Sequence, residues 1–289
     1  MIAPRAVLVH RRSELDALVE RHGTRGQAEF FLRSRGRDLA SAQTRHDALQ
    51  EALRLVDSAI PSGWRRASVE RTDLPRLRFD PEDVVVAVGQ DGLVANVAKY
   101  VSGQPVIGVD PEPGVNPGVL VRHSASEVAG LLPRVVAGAV VSEQRTMVEA
   151  FLDDGQSLRA LNELYIGDPG HQSARYRLRE ERQSSSGLLV GTGTGSTGWC
   201  ASLARSRADA PELPGPLDAT LAWFVREAWP SPFTGTSLTQ GLLHSGEALP
   251  LVAEGDLVVF GDGLEKDRLQ LAWGQQLEVR VAAQHLALV

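Results

Sequence analysis

The sequence predicts an α/β N-terminal domain with a Rossmann-like βαβ unit, followed by a mainly antiparallel β C-terminal domain. Asp83 to Val88 is a nearly unbroken apolar run bounded by charge and glycine, which is typical of a strand buried on both faces of a parallel sheet. After about residue 140 the chain changes to short strand-like segments separated by turn clusters such as Asp153-Asp154-Gly155. This change in the predicted secondary structure marks the boundary between the two predicted domains.

The first half alternates predicted strands with predicted helices. A strand from Arg5 to His10 precedes Ser13-Glu14-Leu15, where a helix is expected to begin. A further helix, with apolar residues at helical spacing, ends before Pro61-Ser62-Gly63. The βαβ unit then consists of a strand from Asp83 to Val88, a helix from Leu93 to Val101 and a strand from Pro105 to Val109.

The second half is predicted to be rich in antiparallel strands. We place the domain boundary so that residues 1–138 form the α/β domain and residues 139–289 the β-rich domain, whose C-terminal tail could return to the first domain. A helix is expected from Trp199 to Arg205, and Gly261-Asp262-Gly263 is interpreted as a hairpin turn. The predicted strands are Thr146 to Leu152, Leu158 to Ile166, Ala174 to Arg179, Gly187 to Val190, Leu257 to Phe260, Leu269 to Ala272 and Leu277 to Ala282.

The composition excludes several classes of protein. The net charge of −6 gives no general attraction to nucleic acid or to an anionic membrane, so neither is expected as a partner. The single cysteine, Cys200, excludes an internal disulfide framework, and the seven histidines show no metal-ligand spacing. No apolar run has the length of a membrane span or of a signal peptide, which predicts a soluble cytoplasmic protein. Neither lysine, Lys99 or Lys266, stands in a P-loop pattern, so any phosphate site must use backbone amides, arginines and a metal.

The first candidate site is Gly89-Gln90-Asp91-Gly92, which is predicted to follow the buried strand and to open the next helix. Glycines allow a tight turn and a close backbone approach to a ligand, and a helix N-terminus offers unpaired N–H groups to phosphate. Ligands of open α/β sheets bind beyond the carboxyl ends of the strands, where Asp91 is expected. A carboxylate there repels phosphate unless it binds a metal or accepts a proton from a nucleophilic hydroxyl. The alternative is a turn that only caps the helix.

The second candidate site is the run from Gly191 to Gly198, in which glycine alternates with threonine and serine between a predicted strand and a predicted helix. Such a loop is rich in N–H and O–H donors, and the helix start behind it favours an anion. The alternative is a flexible loop that binds no ligand.

The third candidate site is Asn162-Glu163, a polar pair within the apolar frame of Leu161, Leu164 and Ile166. Neighbouring residues of a strand face opposite sides, so at least one of the two polar side chains is predicted to face the core. A sugar diol would satisfy it, because Glu accepts hydrogen bonds from hydroxyls and Asn both donates and accepts them. The alternative is a strand edge at which both side chains are solvated.

Taken in order, the three segments resemble the NAD kinase family. That family has a Gly-Gly-Asp-Gly turn after a buried strand, then an Asn-Glu pair, then a Thr-Gly-Ser-Thr loop. Here the corresponding segments are Gly89 to Gly92, Ala160 to Glu163 and Gly193 to Thr197. The stretch from Val106 to Gly118 is similar to the family's segment after its first βαβ unit. The sequence from Ser185 to Ser196 is most similar to the branch of the family that includes the mitochondrial NAD kinases.

The resemblance implies an α/β nucleotide-binding domain, a β-rich dinucleotide-binding domain and an active site between them. It also implies transfer of a phosphoryl group from ATP, or from another donor, to the 2′-hydroxyl of the adenosine ribose of NAD, which gives NADP. Mg²⁺ is the implied metal, and its ligands are not identified by the sequence. The family's self-association implies a homo-oligomer, in the simplest case a dimer.

Site residues are carried over by match to the family's motifs. Asp91 would be the general base on the 2′-hydroxyl. Gly89, Gln90 and Gly92 would lie against the phosphates of the donor. The residues assigned to the dinucleotide are Asn162, Glu163, Ser186, Thr194, Ser196, Thr197, Gly198 and Ser202.

Three other functions are alternatives to this one. A lipid or diacylglycerol-type kinase has a similar Gly-Gly-Asp-Gly motif, but its lipid substrate has no ribose diol that Asn162-Glu163 could bind. A non-catalytic NAD(H)-binding sensor would keep the second-domain pocket, with Gln90, which replaces the family's second glycine, disfavouring the donor. A Rossmann dehydrogenase lacks its sequence basis, because no G-x-G-x-x-G follows a strand near the start of the chain.

Overall fold

A computed structural model describes residues 3–115, 118–170 and 172–289. Asn116 and Pro117, in the stretch that ends at Gly118, lie outside the described residues, as does His171. The chain divides into two units, Met1–Ser142 together with Ala287–Val289, and Glu143–Leu286. Each unit has a hydrophobic core of its own.

The first unit alternates strands and helices, as its sequence predicts. Its strands are β1 (Arg5–His10), β2 (Arg65–Glu70), β3 (Asp83–Val88), β4 (Pro105–Asp110) and β5 (His123–Ser124). Its helices are α1 (Glu14–His22), α2 (Arg25–Arg33), α3 (Ala40–Ala59), α4 (Asp91–Ala98) and α5 (Val128–Val136).

Strand β3 lies inside a parallel sheet, which confirms the interpretation of its apolar run. All six residues of β3 are buried, and β3 pairs in parallel with β1 on one side and with β4 on the other. The order of the sheet is β2-β1-β3-β4, followed by the last strand of the chain (Leu286–Leu288). Because β1, β3 and β4 run in the same direction, the segments that follow them emerge at one edge of the sheet.

Helix α4 is the crossover between β3 and β4. The helix begins at Asp91, two residues before the predicted start, and ends at Ala98, three residues before the predicted end. Asp91 in its first turn is favourable because the N-terminal end of a helix attracts negative charge. All six residues from Leu93 to Ala98 are buried, so the helix is enclosed in the unit rather than amphipathic on its surface.

The N-terminus of α1 confirms its predicted start signal. Ser13 accepts a hydrogen bond from the backbone N–H of Asp16, and the Asp16 carboxylate accepts one from the backbone N–H of Ser13. This reciprocal capping box satisfies two N–H groups that a helix start otherwise leaves unpaired. The loop after β1 therefore has a fixed conformation at the carboxyl edge of the sheet.

The second unit consists almost entirely of antiparallel strands. Its strands are β6 (Glu143–Arg145), β7 (Val148–Leu152), β8 (Ser157–Ala160), β9 (Glu163–Gly167), β10 (Ala174–Leu178), β11 (Glu181–Ser185), β12 (Leu188–Gly191), β13 (Thr220–Val225), β14 (Gln240–His244), β15 (Leu249–Ala253), β16 (Leu257–Gly261), β17 (Arg268–Leu271) and β18 (Gln276–Val281). The last strand of the chain, β19 (Leu286–Leu288), pairs with β4 in the sheet of the first unit. Two six-stranded sheets, in the orders β11-β10-β15-β18-β7-β8 and β14-β13-β12-β9-β16-β17, share one apolar core. Helix α6 (Trp199–Arg205) has the predicted bounds.

One predicted strand is wrong. The segment from Leu158 to Ile166 forms two strands rather than one, because β8 ends at Ala160 and β9 begins at Glu163. The residues between them, Leu161 and Asn162, form a turn whose backbone groups bond to the side chain of Asp262 and to the hydroxyl and backbone N–H of Thr192. Asn162 is therefore a turn residue, and only Glu163 belongs to a strand.

Within the described residues, no helix combines the length and the apolar composition that crossing a bilayer requires.

Candidate functional site

The Gly89–Gly92 turn joins β3 to α4 at the carboxyl edge of the parallel sheet. Gly89 donates its backbone N–H to the carbonyl of Val109 at 2.9 Å, which ties the turn to β4. Gln90 is the N-cap residue, with φ −109° and ψ 166°. This is extended backbone that any residue adopts, so the side chain that replaces the family's glycine causes no strain.

Asp91 holds a neighbouring loop of the same unit. Its Oδ2 accepts the backbone N–H of Val119 at 2.8 Å, and its Oδ1 accepts those of Leu120 at 2.8 Å and Val121 at 3.0 Å. Gly108 lets this loop approach β4, since a Cβ there would lie 2.0 Å from the Leu120 carbonyl oxygen. A carboxylate has about four lone-pair positions, so these three bonds leave one for another donor.

A pocket of about 340 Å³ lies over the Gly89–Gly92 turn. Its acidic lining residues are Asp91, Asp110 and Glu112. Gly92 is exposed there, and a Cβ added to it would meet no atom within 4 Å. Since neither packing nor a positive φ requires glycine at this position, the absence of a side chain leaves room for a ligand at the start of α4.

An adjoining pocket of about 430 Å³ is lined by arginines that were not among the predicted site residues. Gly89 and Gln90 line it, as do Arg11, Arg12 and Arg45. Arg12 pairs with Glu20 and Arg45 pairs with Glu14, so part of this positive charge is neutralised. Arg11 and Arg12 follow β1 directly, and the common carboxyl edge of β1 and β3 is the signal that could have identified them.

The Asn162–Glu163 pair lies in the second unit, at the turn between β8 and β9. Asp262 accepts the backbone N–H of Leu161 on its Oδ2 at 2.8 Å, and those of Asn162 and Glu163 on its Oδ1 at 2.8 and 3.4 Å. The arrangement repeats the one around Asp91, with one carboxylate against three consecutive amides. The sequence predicts only a hairpin turn at Gly261-Asp262-Gly263 and does not indicate this contact.

Thr192 holds the same turn by donating hydrogen bonds to the carbonyl groups of Leu161 and Asn162. Its Oγ1 donates to the carbonyl of Leu161 at 2.6 Å, and its backbone N–H donates to the carbonyl of Asn162 at 2.8 Å. The Thr192 Oγ1 also accepts the backbone N–H groups of Thr194 and Gly195 at 3.1 and 3.3 Å. Thr192 is fully buried, so these bonds are shielded from water.

The glycines of the Gly191–Gly198 loop serve mainly to pack the loop. A Cβ on Gly193 would lie 1.8 Å from the carbonyl oxygen of Gly215, and one on Gly195 would lie 2.3 Å from that of Asn162. Residues from Gly191 to Gly195 are buried and several of their N–H groups are used internally, which corrects the expectation that the whole loop offers free donors. The exposed part that could meet an anion is Thr197 and Gly198, with Ser196 half-buried.

Glu163 is the most strongly perturbed carboxylate of this turn. Burial is the main cause and the nearby charge of Asp262 the second cause that raise the pKa of Glu163 to about 7. At neutral pH it therefore exists in both forms, and the protonated form can donate a hydrogen bond as well as accept one. Cys200 lies close by and is fully buried; burial and the charge of Glu163 raise the pKa of the Cys200 thiol to about 12, which keeps it protonated.

The remaining assigned residues lie around an aromatic pair of the second unit. Ser186 is exposed, and its carbonyl accepts the hydroxyl of Tyr165 at 3.0 Å. Tyr165 stacks on Trp199 with ring centroids 5.8 Å apart, and Ser202 lies exposed on the same helix as Trp199. Neither Tyr165 nor Trp199 is among the site residues predicted from the sequence. Thr194 is almost fully buried, 3.5 Å from the guanidinium of buried Arg145.

No metal centre built by the protein alone is found among the described residues. They contain no group of three or more His, Cys, Asp and Glu side chains that could hold an ion together. Magnesium sites of phosphoryl-transfer enzymes use one or two carboxylates and complete their coordination with substrate phosphates and water. The acidic lining of the pocket over Gly89–Gly92 fits that kind of site.

Comparison with curated proteins finds several NAD kinases. The chain is 30% identical over 176 residues to an NAD kinase of Heliobacterium modesticaldum, which is 53% of this chain and 60% of that protein. It is 30% identical over 125 residues to one of Chlorobaculum tepidum (40% and 43% of the two chains) and 31% identical over 152 residues to one of Methylococcus capsulatus (48% and 49%). The chain thus spans about half the length of these relatives. No family model matches the sequence.

Comparison with solved structures bears on the fold. The structure of an NAD kinase from Archaeoglobus fulgidus in complex with ATP matches with a TM-score of 0.58, covering 98% of this chain and 92% of that chain at 14% identity. This match confirms the predicted combination of an α/β N-terminal domain with a mainly antiparallel β C-terminal domain. The chain is thus similar in sequence to NAD kinases over about half of their length, which confirms the resemblance indicated by its three motifs.

Proposed function

We propose that this protein is an NAD kinase, which transfers a phosphoryl group from ATP or another donor to the 2′-hydroxyl of the adenosine ribose of NAD. The observation that carries the proposal is the Asn162–Glu163 turn. Its backbone is held on both sides by other segments, so the two side chains are not needed to stabilise the turn. An amide beside a carboxyl group of pKa about 7 suits a ribose, whose hydroxyls both donate and accept hydrogen bonds.

In this proposal Asp91 accepts the proton of the 2′-hydroxyl as the phosphoryl group arrives. Phosphoryl transfer requires mainly positioning and charge neutralisation, and one carboxylate is sufficient to take the proton late in the reaction. The lone-pair position that the three amides leave on Asp91 is the one this role requires. The same amides fix the orientation of the carboxylate.

The donor phosphates are assigned to Gly89, Gln90 and Gly92. The open space at Gly92 and the N-terminus of α4 support this assignment, and the nearby arginine wall adds positive charge. Mg²⁺ would be held by Asp110 and Glu112 together with donor oxygens, since both carboxylates line the same pocket. The ion would neutralise charge on the transferring phosphoryl group.

The rest of the dinucleotide is assigned to exposed residues of the second unit. Ser186, Thr197, Gly198 and Ser202 are accessible and carry hydroxyl or amide groups, which suits them to polar groups of NAD. Thr194 and Ser196 support the loop more than they contact a ligand, because Thr194 is buried and Ser196 donates to the carbonyl of Thr192 at 3.0 Å.

A second candidate function is a non-catalytic NAD(H)-binding sensor. The observation that favours it is the set of three amides on Asp91, because a carboxylate with a purely structural role would show the same contacts. The two candidates differ in turnover and not in binding. Neither gives a role to a lipid substrate.

Incubating the purified protein with NAD, Mg²⁺ and either ATP or inorganic polyphosphate, and assaying NADP, tests the proposal. Formation of NADP supports the kinase. NAD binding measured by calorimetry, without NADP from either donor, supports the sensor, and absence of binding contradicts both. Repeating the assay with NADH in place of NAD establishes which form is the acceptor.

We further propose that the enzyme acts as a homodimer in the cytoplasm, as the family resemblance implies. Light scattering coupled to size-exclusion chromatography tests the dimer, since each chain has a mass of 31.1 kDa. Fractionation of the source cells tests the location.

A further inference from the structure

Asp262 lies in the hairpin between β16 and β17, about 100 residues after the Asn162–Glu163 turn in sequence, and contacts it directly. It adopts a positive φ of 54°, a conformation that Asp and Asn tolerate better than most residues. Its two carboxylate oxygens accept the backbone N–H groups of Leu161, Asn162 and Glu163. Its own backbone N–H donates to the carbonyl of Glu163 at 3.2 Å.

The opposite side of the same turn is held by Thr192. The carbonyls of Leu161 and Asn162 accept hydrogen bonds from the hydroxyl and the backbone N–H of Thr192. Both polar backbone groups of each residue are therefore bonded, the N–H to Asp262 and the C=O to Thr192. Such a turn has little freedom to move, because any displacement breaks bonds on one side or the other.

We propose that Asp262 is a positioning residue, whose carboxylate fixes the backbone from Leu161 to Glu163 and thereby sets where the Asn162 and Glu163 side chains meet the ribose of NAD. The inference rests on the proposed function for its ligand, and on the contacts of Asp262 for its geometry. Thr192 is the second residue of this clamp. The Asp262 carboxylate holds backbone groups of the turn, and in this proposal it acts on the ribose through the side chains of Asn162 and Glu163.

A carboxylate suits this position better than the amide of asparagine. Three N–H groups point at the two oxygens, and a carboxylate offers acceptors on both. An asparagine would offer one oxygen and would turn an NH₂ group toward at least one of the N–H donors. Hydrogen bonds to an ionised acceptor are also about twice as strong as neutral ones.

The test uses Asp262→Asn, which keeps the size of the side chain and tolerates the positive φ. Thr192→Val removes the hydroxyl and keeps the shape, whereas Thr192→Ser keeps the hydroxyl and is the matched rescue variant. Val279→Ala, in the core of the second unit on β18, is a control for general destabilisation. Each variant is measured in the full-length protein for hydrogen exchange of the Leu161–Glu163 amides, for the NAD dissociation constant by calorimetry, and for kcat and both KM values.

We expect Asp262→Asn to speed exchange of these three amides and to weaken NAD binding about tenfold, the loss typical of one hydrogen bond to a charged group. The KM for NAD should rise to match, while the KM for the phosphoryl donor stays the same. Thr192→Val should act in the same direction, Thr192→Ser should resemble the wild type, and Val279→Ala should lower stability without changing either measurement.

Two results would overturn the proposal. Slow exchange of the three amides in Asp262→Asn would show that the carboxylate does not hold the turn. Faster exchange with unchanged NAD affinity would show that the held turn positions nothing for the dinucleotide. A wild-type protein that binds NAD but forms no NADP would remove the kinase function alone, because exchange and binding still report on the clamp.

Discussion

Replacing Glu163 by glutamine is expected to change how the stability of the second unit depends on pH. Burial and the charge of Asp262 raise the pKa of Glu163 from 4.5 to about 7 in the folded protein. The folded state therefore holds the proton more tightly than the unfolded state between these two values. It follows that ionisation of Glu163 lowers the free energy of unfolding as pH rises from about 4.5 to about 7, and adds no further loss above that range.

The magnitude follows from the size of the shift. At about 1.4 kcal/mol for each pKa unit, the shift corresponds to a loss of at most about 3.5 kcal/mol at pH 8. Glutamine stays neutral at every pH, so Glu163→Gln removes this loss. The difference in unfolding free energy between variant and wild type should move in favour of the variant, by up to about 3.5 kcal/mol, between pH 4.5 and pH 8.

Denaturant unfolding followed by tryptophan fluorescence at a series of pH values measures this difference. Of the five tryptophans, Trp64 alone lies in the first unit, so the signal reports mainly on the second. Glu278→Gln, at an exposed position on β18, is the control for loss of one negative charge. A difference between Glu163→Gln and the wild type that stays constant across the pH series would refute the reasoning.

The other predictions concern the first unit and the glycine loop. Asp91→Asn is expected to lower kcat about a hundredfold or more by removing the proton acceptor, and to cost about 1–3 kcal/mol in unfolding measurements because an amide cannot accept all three N–H groups; a kcat near the wild-type value would exclude the role of base. Gln90→Gly should lower the KM for the donor about threefold by opening both pockets that Gln90 lines, and an unchanged KM would show that the side chain is already accommodated. Gly92→Ala should stabilise α4 by about 0.5–1 kcal/mol, since its Cβ meets no atom, yet raise the KM for the donor; stabilisation without a kinetic effect would mean that no ligand approaches there. Gly193→Ala should destabilise the protein by about 3 kcal/mol, because its Cβ would collide with the Gly215 carbonyl, and a melting temperature close to that of the wild type would contradict this packing.

The sequence predicts those helices and strands whose formation depends on residues close together in the chain. Strand β3 is recognisable because burial on both faces requires an unbroken apolar run, and α1 is recognisable because its capping box is local in sequence. The strands of the second unit have the same property, since alternation of apolar and polar residues follows from one buried face.

Contacts between distant segments could not be predicted in the same way. The turn at Leu161 and Asn162 looks like part of a strand by its apolar frame, and it departs from a strand because Asp262 and Thr192 take its backbone bonds. Nothing in the neighbourhood of Asp262 indicates that partner. The glycines of the Gly191–Gly198 loop could likewise be read as ligand contacts, because close packing against Gly215 and Asn162 is visible only in three dimensions.

Asp91 and Asp262 each accept hydrogen bonds from three consecutive backbone N–H groups. Every residue except proline has such an N–H group, whatever its side chain. The conformations of Val119–Val121 and Leu161–Glu163 are therefore insulated from most substitutions within those segments, with proline, which has no N–H, as the exception. Side chains in the second segment could diverge in evolution, or be redesigned for another acceptor, without rebuilding the loop that displays them. The two aspartates themselves have no such freedom.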